Sequence, residues 1–201
     1  MPTLRINEVK GIGDEQVSEL NFALEEVIGW LKIKAPNAKW SIGFLFELAF
    51  HMTFSGYNVY AIFDEIGILE GDARRPSITK CATPFTRPPL VGLWHKHHHQ
   101  AQFIWKNICL ELDRPGALEE LIEPFSGQIL GDVQNEFGHA LIDGTFSKRA
   151  SAKRLTGEFI VFEKLEGNRN YYLTLGSHGE YDEIASRVSD YRRMDYDKGN
   201  A

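Results

Sequence analysis

The chain has 201 residues, of which 43% are hydrophobic, so it is long enough for one domain with a buried core. Its net charge of −6 argues against a general nucleic-acid coat protein. Its two cysteines, Cys81 and Cys109, lack the CxxC spacing of a zinc ribbon, and we expect a reducing, cytoplasmic compartment. No signal-peptide profile and no apolar run of about 18 residues is found, so we expect no membrane association.

The first quarter of the chain predicts two helices. Asp14 precedes apolar residues at helical spacing, from Val17 to Leu31, and Ser41 is placed to cap a second apolar helix that ends near Ser55. We therefore interpret residues 1–57 as a helical preface. His51 lies within the second apolar pattern, which is typical of a packing residue.

The next stretch predicts a strand and then a long loop. Residues 58–63 are rich in aromatic and β-branched side chains, which favours a first strand that ends in acidic residues. Residues 72–89 carry four prolines and four basic residues without periodicity. This composition indicates a long ordered loop, and such loops usually have a functional role.

Histidines dominate the segment that follows this loop. Four of the chain's seven histidines stand within residues 95–99. In an extended segment successive side chains point to opposite faces, so His95, His97 and His99 are expected on one face and Lys96 on the other. Imidazoles so arranged suit either metal binding or proton transfer near neutral pH.

The remainder of the chain predicts helices, a hairpin and a tail. Helical spacing covers residues 103–112, 117–122 and 128–141, and two strand-like runs from 158 to 176 are joined by a turn through residues 166–170. We expect Tyr172 and Thr174 to share a polar face of the second run. A short helix then leads to a charged, frayed tail over residues 191–201.

These elements predict an α+β fold in which an N-terminal helical pair packs on a mainly antiparallel β-sheet, with additional helices between strands. We expect residues 1–190 to form one domain, in which residues 58–190 hold the sheet and the site. No internal repeat or domain linker is visible in the sequence.

Metal-free cleavage of RNA is the leading functional prediction. This reaction needs a base for the 2′-hydroxyl, an acid for the leaving 5′-oxygen and positive charge near the phosphorus. We predict His95 or His97 as the base and His178 as the acid. The other predicted site residues are cations for the phosphorane and hydroxyl groups that position the phosphate: Lys96, Arg154, Tyr172 and Thr174.

The layout also resembles a known ribonuclease group. Helices that lead into an antiparallel sheet, a histidine-bearing strand, and a last hairpin from Gly157 to His178 resemble the barnase, EndoU, colicin and RelE-like ribonucleases over residues 90–188. The resemblance implies a small sheet that presents histidine, basic and hydroxyl side chains to an RNA phosphate, often in toxins or effectors.

Two alternatives remain open. His95, His97 and His99 could bind zinc in a metal-dependent hydrolase, completed by a carboxylate or histidine from elsewhere. Alternatively, the histidines are an exposed strand end and the chain is a non-catalytic, partner-binding or immunity-type protein whose acidic helices face a basic partner. The acidic surface could also bind a protein inhibitor. The expected ligand of the enzyme is RNA or another phosphate-bearing molecule.

Overall fold

The computed structural model describes residues 4–72, 74, 76–100, 104–128, 130–152 and 158–199. The α-helices and strands, in chain order, are α1 (Asp14–Lys34), β1 (Lys39–Trp40), α2 (Ile42–Phe50), α3 (Val59–Leu69), β2 (Thr83–Pro84), β3 (Trp94–His97), α4 (Ile104–Leu112), α5 (Ala117–Ile122), α6 (Leu130–His139), α7 (Thr145–Ser151), β4 (Phe159–Leu165), β5 (Arg169–Gly176) and α8 (Tyr181–Gly199). Short π-helical turns follow α2, at His51–Ser55, and α6, at Ala140–Gly144, and a 3-10 turn follows α5 at Glu123–Phe125. None of the helices in these ranges is long and apolar enough to cross a membrane.

The strands that the structure describes form one mixed sheet of five, in the order β1-β5-β4-β3-β2. The β1 strand runs parallel to β5, and all other neighbouring strands are antiparallel. The prediction of an α+β fold with a mainly antiparallel sheet is therefore confirmed. Both long strands, β4 and β5, lie in the interior of the sheet.

Each face of the sheet carries its own hydrophobic core. The first core joins α1, α2 and α3 to Ile160, Phe162 and Tyr172 of the sheet. The second core lies on the opposite face, where Ile184 and Val188 of α8 pack against strand residues that include Phe159, Val161 and Leu173. The predicted N-terminal helical pair is confirmed, and Ser41 caps α2 by accepting a hydrogen bond from the backbone N–H of Phe44 at 2.9 Å.

The prediction of a first strand at residues 58–63 was wrong, because this segment begins helix α3. Asn58 caps that helix through the backbone N–H of Ala61, and its buried residues Val59, Ile62, Phe63 and Ile66 follow helical spacing. The aromatic and β-branched composition favoured a strand, but the period of burial against the first core decided the structure.

The hairpin was predicted, but its turn is shorter and its second strand is bulged. Strand β5 begins at Arg169, and a left-handed Gly167 (φ 73°) lies in the turn that precedes it. Val161 pairs with Thr174 whereas Phe162 pairs with Tyr172, so Leu173 is an additional residue in β5. This bulge interrupts the alternation, and Tyr172 and Leu175 join the first core while Tyr171 and Leu173 join the second.

The prediction of a frayed tail from residue 191 was also wrong, because α8 continues to Gly199. Charged residues in this stretch bind the body of the protein. Asp195 accepts a hydrogen bond from the backbone N–H of Ile42 at 2.9 Å, at the start of α2, and another from the hydroxyl of Tyr171. A carboxylate at a helix N-terminus is stabilised by the unpaired amide groups there.

Helices α4 to α7 form an inserted segment between β3 and β4. Within it α4 packs against α7 and α5. Its buried polar residues include Asn107, Glu111 and Arg149, and the guanidinium Nε of Arg149 donates to the side-chain oxygen of Asn107 at 3.3 Å. The helix predicted at residues 103–112 is confirmed over its described part, from Ile104 to Leu112, and the helix predicted at residues 117–122 is confirmed.

Candidate active site

Strand β3 directs His95 and His97 toward the second core. Because β3 is antiparallel to β4, His97 pairs with Phe159 and His95 pairs with Val161, both of which belong to that core. The two imidazole centroids lie 5.4 Å apart. The strand ends at His97, so the predicted third member of this face, His99, lies beyond it.

His178 joins these two residues from a distant part of the chain. It follows the end of β5, and its ring centroid lies 5.4 Å from that of His97. We refer to His95, His97 and His178 as the histidine cluster. Two residues predicted as base and acid candidates, His97 and His178, therefore lie side by side in the structure.

Aromatic and hydroxyl side chains hold the histidine cluster in place. The Phe85 ring lies 4.5 Å from that of His95, and Phe159 lies 5.3 Å from that of His178. The Nε2 atom of His95 lies 3.2 Å from the hydroxyl of Thr83, and the Nδ1 atom of His178 lies 3.3 Å from the hydroxyl of Tyr181. These contacts restrain the orientation of two rings.

The environment of the cluster favours neutral imidazoles. Burial lowers the pKa of His95 below its ordinary value of 6.5, and the positive charges of His178 and Lys80 act in the same direction. Burial also lowers the pKa of His178, assisted by Lys106 and Lys80. The positive charges of Lys80 and Lys106 therefore act on an imidazole cluster that opens to solvent at His178, which makes the site suitable for an anion.

Lys96 is not part of this cluster, in contrast to the sequence prediction. Its side chain points to the opposite face of the sheet, where its ammonium lies 2.8 Å from the carboxylate of Glu65 and donates to the hydroxyls of Ser77 at 2.8 Å and Thr79 at 2.5 Å. The backbone oxygen of Lys80 accepts a further bond at 2.8 Å. With four acceptors around three N–H groups, this lysine anchors the proline-rich loop to the strand.

Tyr172 and Thr174 are also placed away from the histidines. Tyr172 is fully buried in the first core and donates its hydroxyl to Glu70 at 2.6 Å. Thr174 is fully buried as well, and it donates to the carboxylate of Glu47 at 2.7 Å. The predicted role of these two hydroxyls in positioning phosphate does not agree with their burial. Arg154 lies outside the described residues.

Glu47 completes the edge of the sheet where β1 ends. Burial raises the pKa of this carboxyl above its ordinary value, while hydrogen bonds from the backbone N–H of Leu175, from Thr174 and from the hydroxyl of Tyr191 act against that shift. The bulge of β5 leaves the Leu175 N–H facing the edge, and Glu47 satisfies it. The polar groups predicted on β5 therefore form hydrogen bonds that stabilise the fold.

The metal alternative finds no preformed site in the described residues, where no group of three or more His, Cys, Asp or Glu side chains is arranged to hold a metal ion. The ring of His99 instead lies 5.1 Å from that of Phe146 in the inserted segment.

A second histidine environment lies on the other face, around His98. This residue is fully buried, and its Nδ1 atom accepts from the side-chain amide of Gln100 at 3.2 Å, so the neutral ring carries its proton on Nε2. That Nε2 atom is buried and has no hydrogen-bond partner in the described part of the chain. Nearby, the ring of His51 stacks on Tyr57 at 4.3 Å.

Sequence reasoning missed several members of the site. Thr83, Phe85 and Lys80 lie in the proline-rich loop, where no periodicity shows which side chains turn inward. The one sequence feature that could have indicated these residues is the short distance along the chain between this loop and the histidine strand. Tyr181 and Lys106 are placed by tertiary packing, which the sequence pattern does not reveal.

Comparison with known proteins does not add to this description. No family model matches the chain, and no curated protein and no solved structure matches it. The histidine cluster is therefore the feature from which a function can be inferred.

Proposed function

We propose that the histidine cluster cleaves RNA phosphodiester bonds by general acid and base catalysis without an obligate metal. The observation that carries this proposal is the approach of His178 to His97, with 5.4 Å between their ring centroids, beside His95 on the same strand. Two imidazoles on either side of a phosphodiester can transfer the two protons that the reaction requires.

In the proposed reaction one imidazole removes the proton of the ribose 2′-hydroxyl, and the 2′-oxygen attacks the adjacent phosphorus. The bond from phosphorus to the 5′-oxygen then breaks, and a second imidazole donates a proton to that oxygen. The products are a 2′,3′-cyclic phosphate and a 5′-hydroxyl. We assign the base to His95 and the acid to the exposed His178, because His97 between them is only 3% exposed.

Lys96, one of the two cations predicted for the phosphorane, lies on the opposite face of the sheet, and the other, Arg154, stays a prediction because it lies outside the described residues. Two other lysines, Lys80 and Lys106, act electrostatically on His178. Fixed cations near the phosphorus stabilise the charge that develops in the transition state. We therefore propose Lys80 and Lys106 for this role.

Aromatic side chains beside the cluster support a nucleotide over an isolated phosphate. Tyr181 is 40% exposed, and its hydroxyl contacts His178. The centroid of the half-buried Phe85 ring lies 6.2 Å from that of the Tyr181 ring. Exposed aromatic rings next to a phosphate site are suited to stacking of unpaired bases.

A cleavage assay on untagged protein tests the proposal. We expect the wild-type protein to cleave single-stranded RNA in excess chelator and to leave cyclic-phosphate ends. The H95A and H178A variants should leave the RNA intact. The matched control is H139A, which removes a solvent-exposed histidine from α6. If the protein contains stoichiometric zinc and chelator abolishes its hydrolytic activity, the metal alternative is supported. If the wild-type protein is folded but has no activity, a partner-binding protein is favoured.

A further inference from the structure

A pocket lies between α1, β1 and the turn that joins β4 to β5, at the opposite end of β4 from the histidine cluster. Its volume is about 850 Å³, and its lining includes Ile28, Trp40, Leu45 and Leu165. Pockets of about 300–1,000 Å³ with apolar walls are typical of small-molecule sites. These four side chains form the apolar wall of the pocket.

Cations predominate among the charged residues that line this pocket. Lys32, Lys39 and Arg169 contribute positive charge, and Glu25 alone among the lining residues is acidic. This balance contrasts with the net charge of −6 for the whole chain. A local excess of one sign beside a low-dielectric wall concentrates counter-charged ligands.

These cations are not engaged by carboxylates in the described part of the chain. The ammonium of Lys39 lies 4.4 Å from the centroid of the Tyr171 ring, and the guanidinium Nε of Arg169 donates only to the backbone oxygen of Glu166 at 3.5 Å. Lys32 lies in the last turn of α1, where it is exposed. An external anion would therefore displace water without breaking an existing ion pair.

We propose that this pocket binds a small amphiphile with an apolar body and a single anionic head, such as a fatty-acid carboxylate. The apolar body would contact Ile28, Trp40 and Leu165, and the head would lie near Lys32 and Arg169. The pocket volume matches a small molecule, and this favours such a ligand over an acidic peptide. The proposal is independent of the reaction at the histidine cluster.

Titration of the full-length protein with dodecanoate, followed by backbone amide NMR, tests this assignment. We expect saturable shifts at Ile28, Trp40 and Leu165, weaker binding of dodecanol, and no binding of dodecyltrimethylammonium. The double variant K32Q/R169Q should bind dodecanoate about tenfold more weakly, because two charge contacts are lost. The control K148Q, on α7, should bind as the wild type does.

Several outcomes would overturn the assignment. These are no binding of dodecanoate, equal binding of all three amphiphiles, shifts located elsewhere, unchanged affinity in K32Q/R169Q, or binding of an acidic peptide in place of dodecanoate. A wall variant, L165Q, provides a second readout, since loss of apolar contact should also weaken dodecanoate. Circular dichroism of each variant establishes that the fold is retained.

Discussion

The imidazole of His178 lies beside that of His97, with 5.4 Å between ring centroids, although one follows the last strand and the other stands in the middle of the chain. The sheet creates this approach because Phe159 pairs with His97 on one side and with Gly176 on the other. Residue 178, two positions after Gly176, is thereby brought to the end of β3.

Substitution of His178 should remove most RNA cleavage. General acid catalysis typically contributes a factor of about 100 to 10,000, so we expect H178A to lower kcat/KM by at least about 100-fold with little change in stability. His178 is exposed, which makes an effect on folding small. The H139A variant should cleave RNA at the wild-type rate, and equal loss in both variants would contradict the proposed role.

The pH dependence of cleavage should be bell-shaped with a maximum on the acid side of pH 6.5. Catalysis needs one unprotonated and one protonated imidazole, and the pKa values of both His95 and His178 are lowered from 6.5. Activity should therefore fall toward pH 8 as the acid loses its proton. K80Q should move the profile to higher pH, because Lys80 lowers both pKa values. A profile that rises steadily above pH 7 would exclude this assignment.

Buried His98 should make the protein less stable in acid. Burial lowers the pKa of His98 to about 3, so between pH 3 and 6.5 the unfolded chain binds a proton that the folded protein does not. The contribution of neutral His98 to the free energy of unfolding is fully present above pH 6.5. It is lost as the pH falls toward 3, and the total loss is about 5 kcal/mol.

Urea unfolding at pH 4 and pH 7 measures the contribution of His98. The H98L variant should show a smaller difference in the free energy of unfolding between the two pH values than the wild type. The exposed histidine variant H139L provides the comparison. An identical pH dependence in wild type and H98L would show that this residue does not carry the effect.

The buried ion pair of Lys96 and Glu65 should respond differently to single and double substitution. Removal of one partner leaves an uncompensated buried charge, and E65A should lower the free energy of unfolding by about 3–5 kcal/mol. The double variant K96M/E65L should recover most of this loss and should still cleave RNA. If K96M/E65L is stable but inactive, the anchoring of the proline-rich loop by Lys96 is needed to hold Lys80 at the histidine cluster.

The last turns of α8 should contribute to stability. Asp195 binds the N-terminus of α2 through the Ile42 N–H, and D195A should cost about 1–2 kcal/mol, as for loss of a helix cap. Asp197 is exposed and makes no such contact, so D197A serves as the matched control. Thermal unfolding of both variants checks this, and equal midpoints would show that the contact is not stabilising.

Local patterns predicted the elements of this fold better than their contacts. Capping by Ser41, the closing hairpin and the alternation of His95 with Lys96 follow from neighbouring residues alone. Residues 58–63 were mistaken for a strand because their aromatic and β-branched composition was given more weight than the helical spacing of their apolar residues. The burial of Tyr172 and Thr174 depends on a bulge and on the carboxylates of Glu70 and Glu47, which come from distant helices.

The inserted helices leave and re-enter the sheet at one place. The backbone N–H of His98 donates to the oxygen of Glu158 at 3.0 Å, so the two ends of the segment from α4 to α7 are held a single hydrogen bond apart. The pairing of β3 with β4 therefore imposes no particular length on the chain between them. Replacement of that segment by a short glycine-containing linker would keep the strand register, and helices of other sizes could be grafted at the same point.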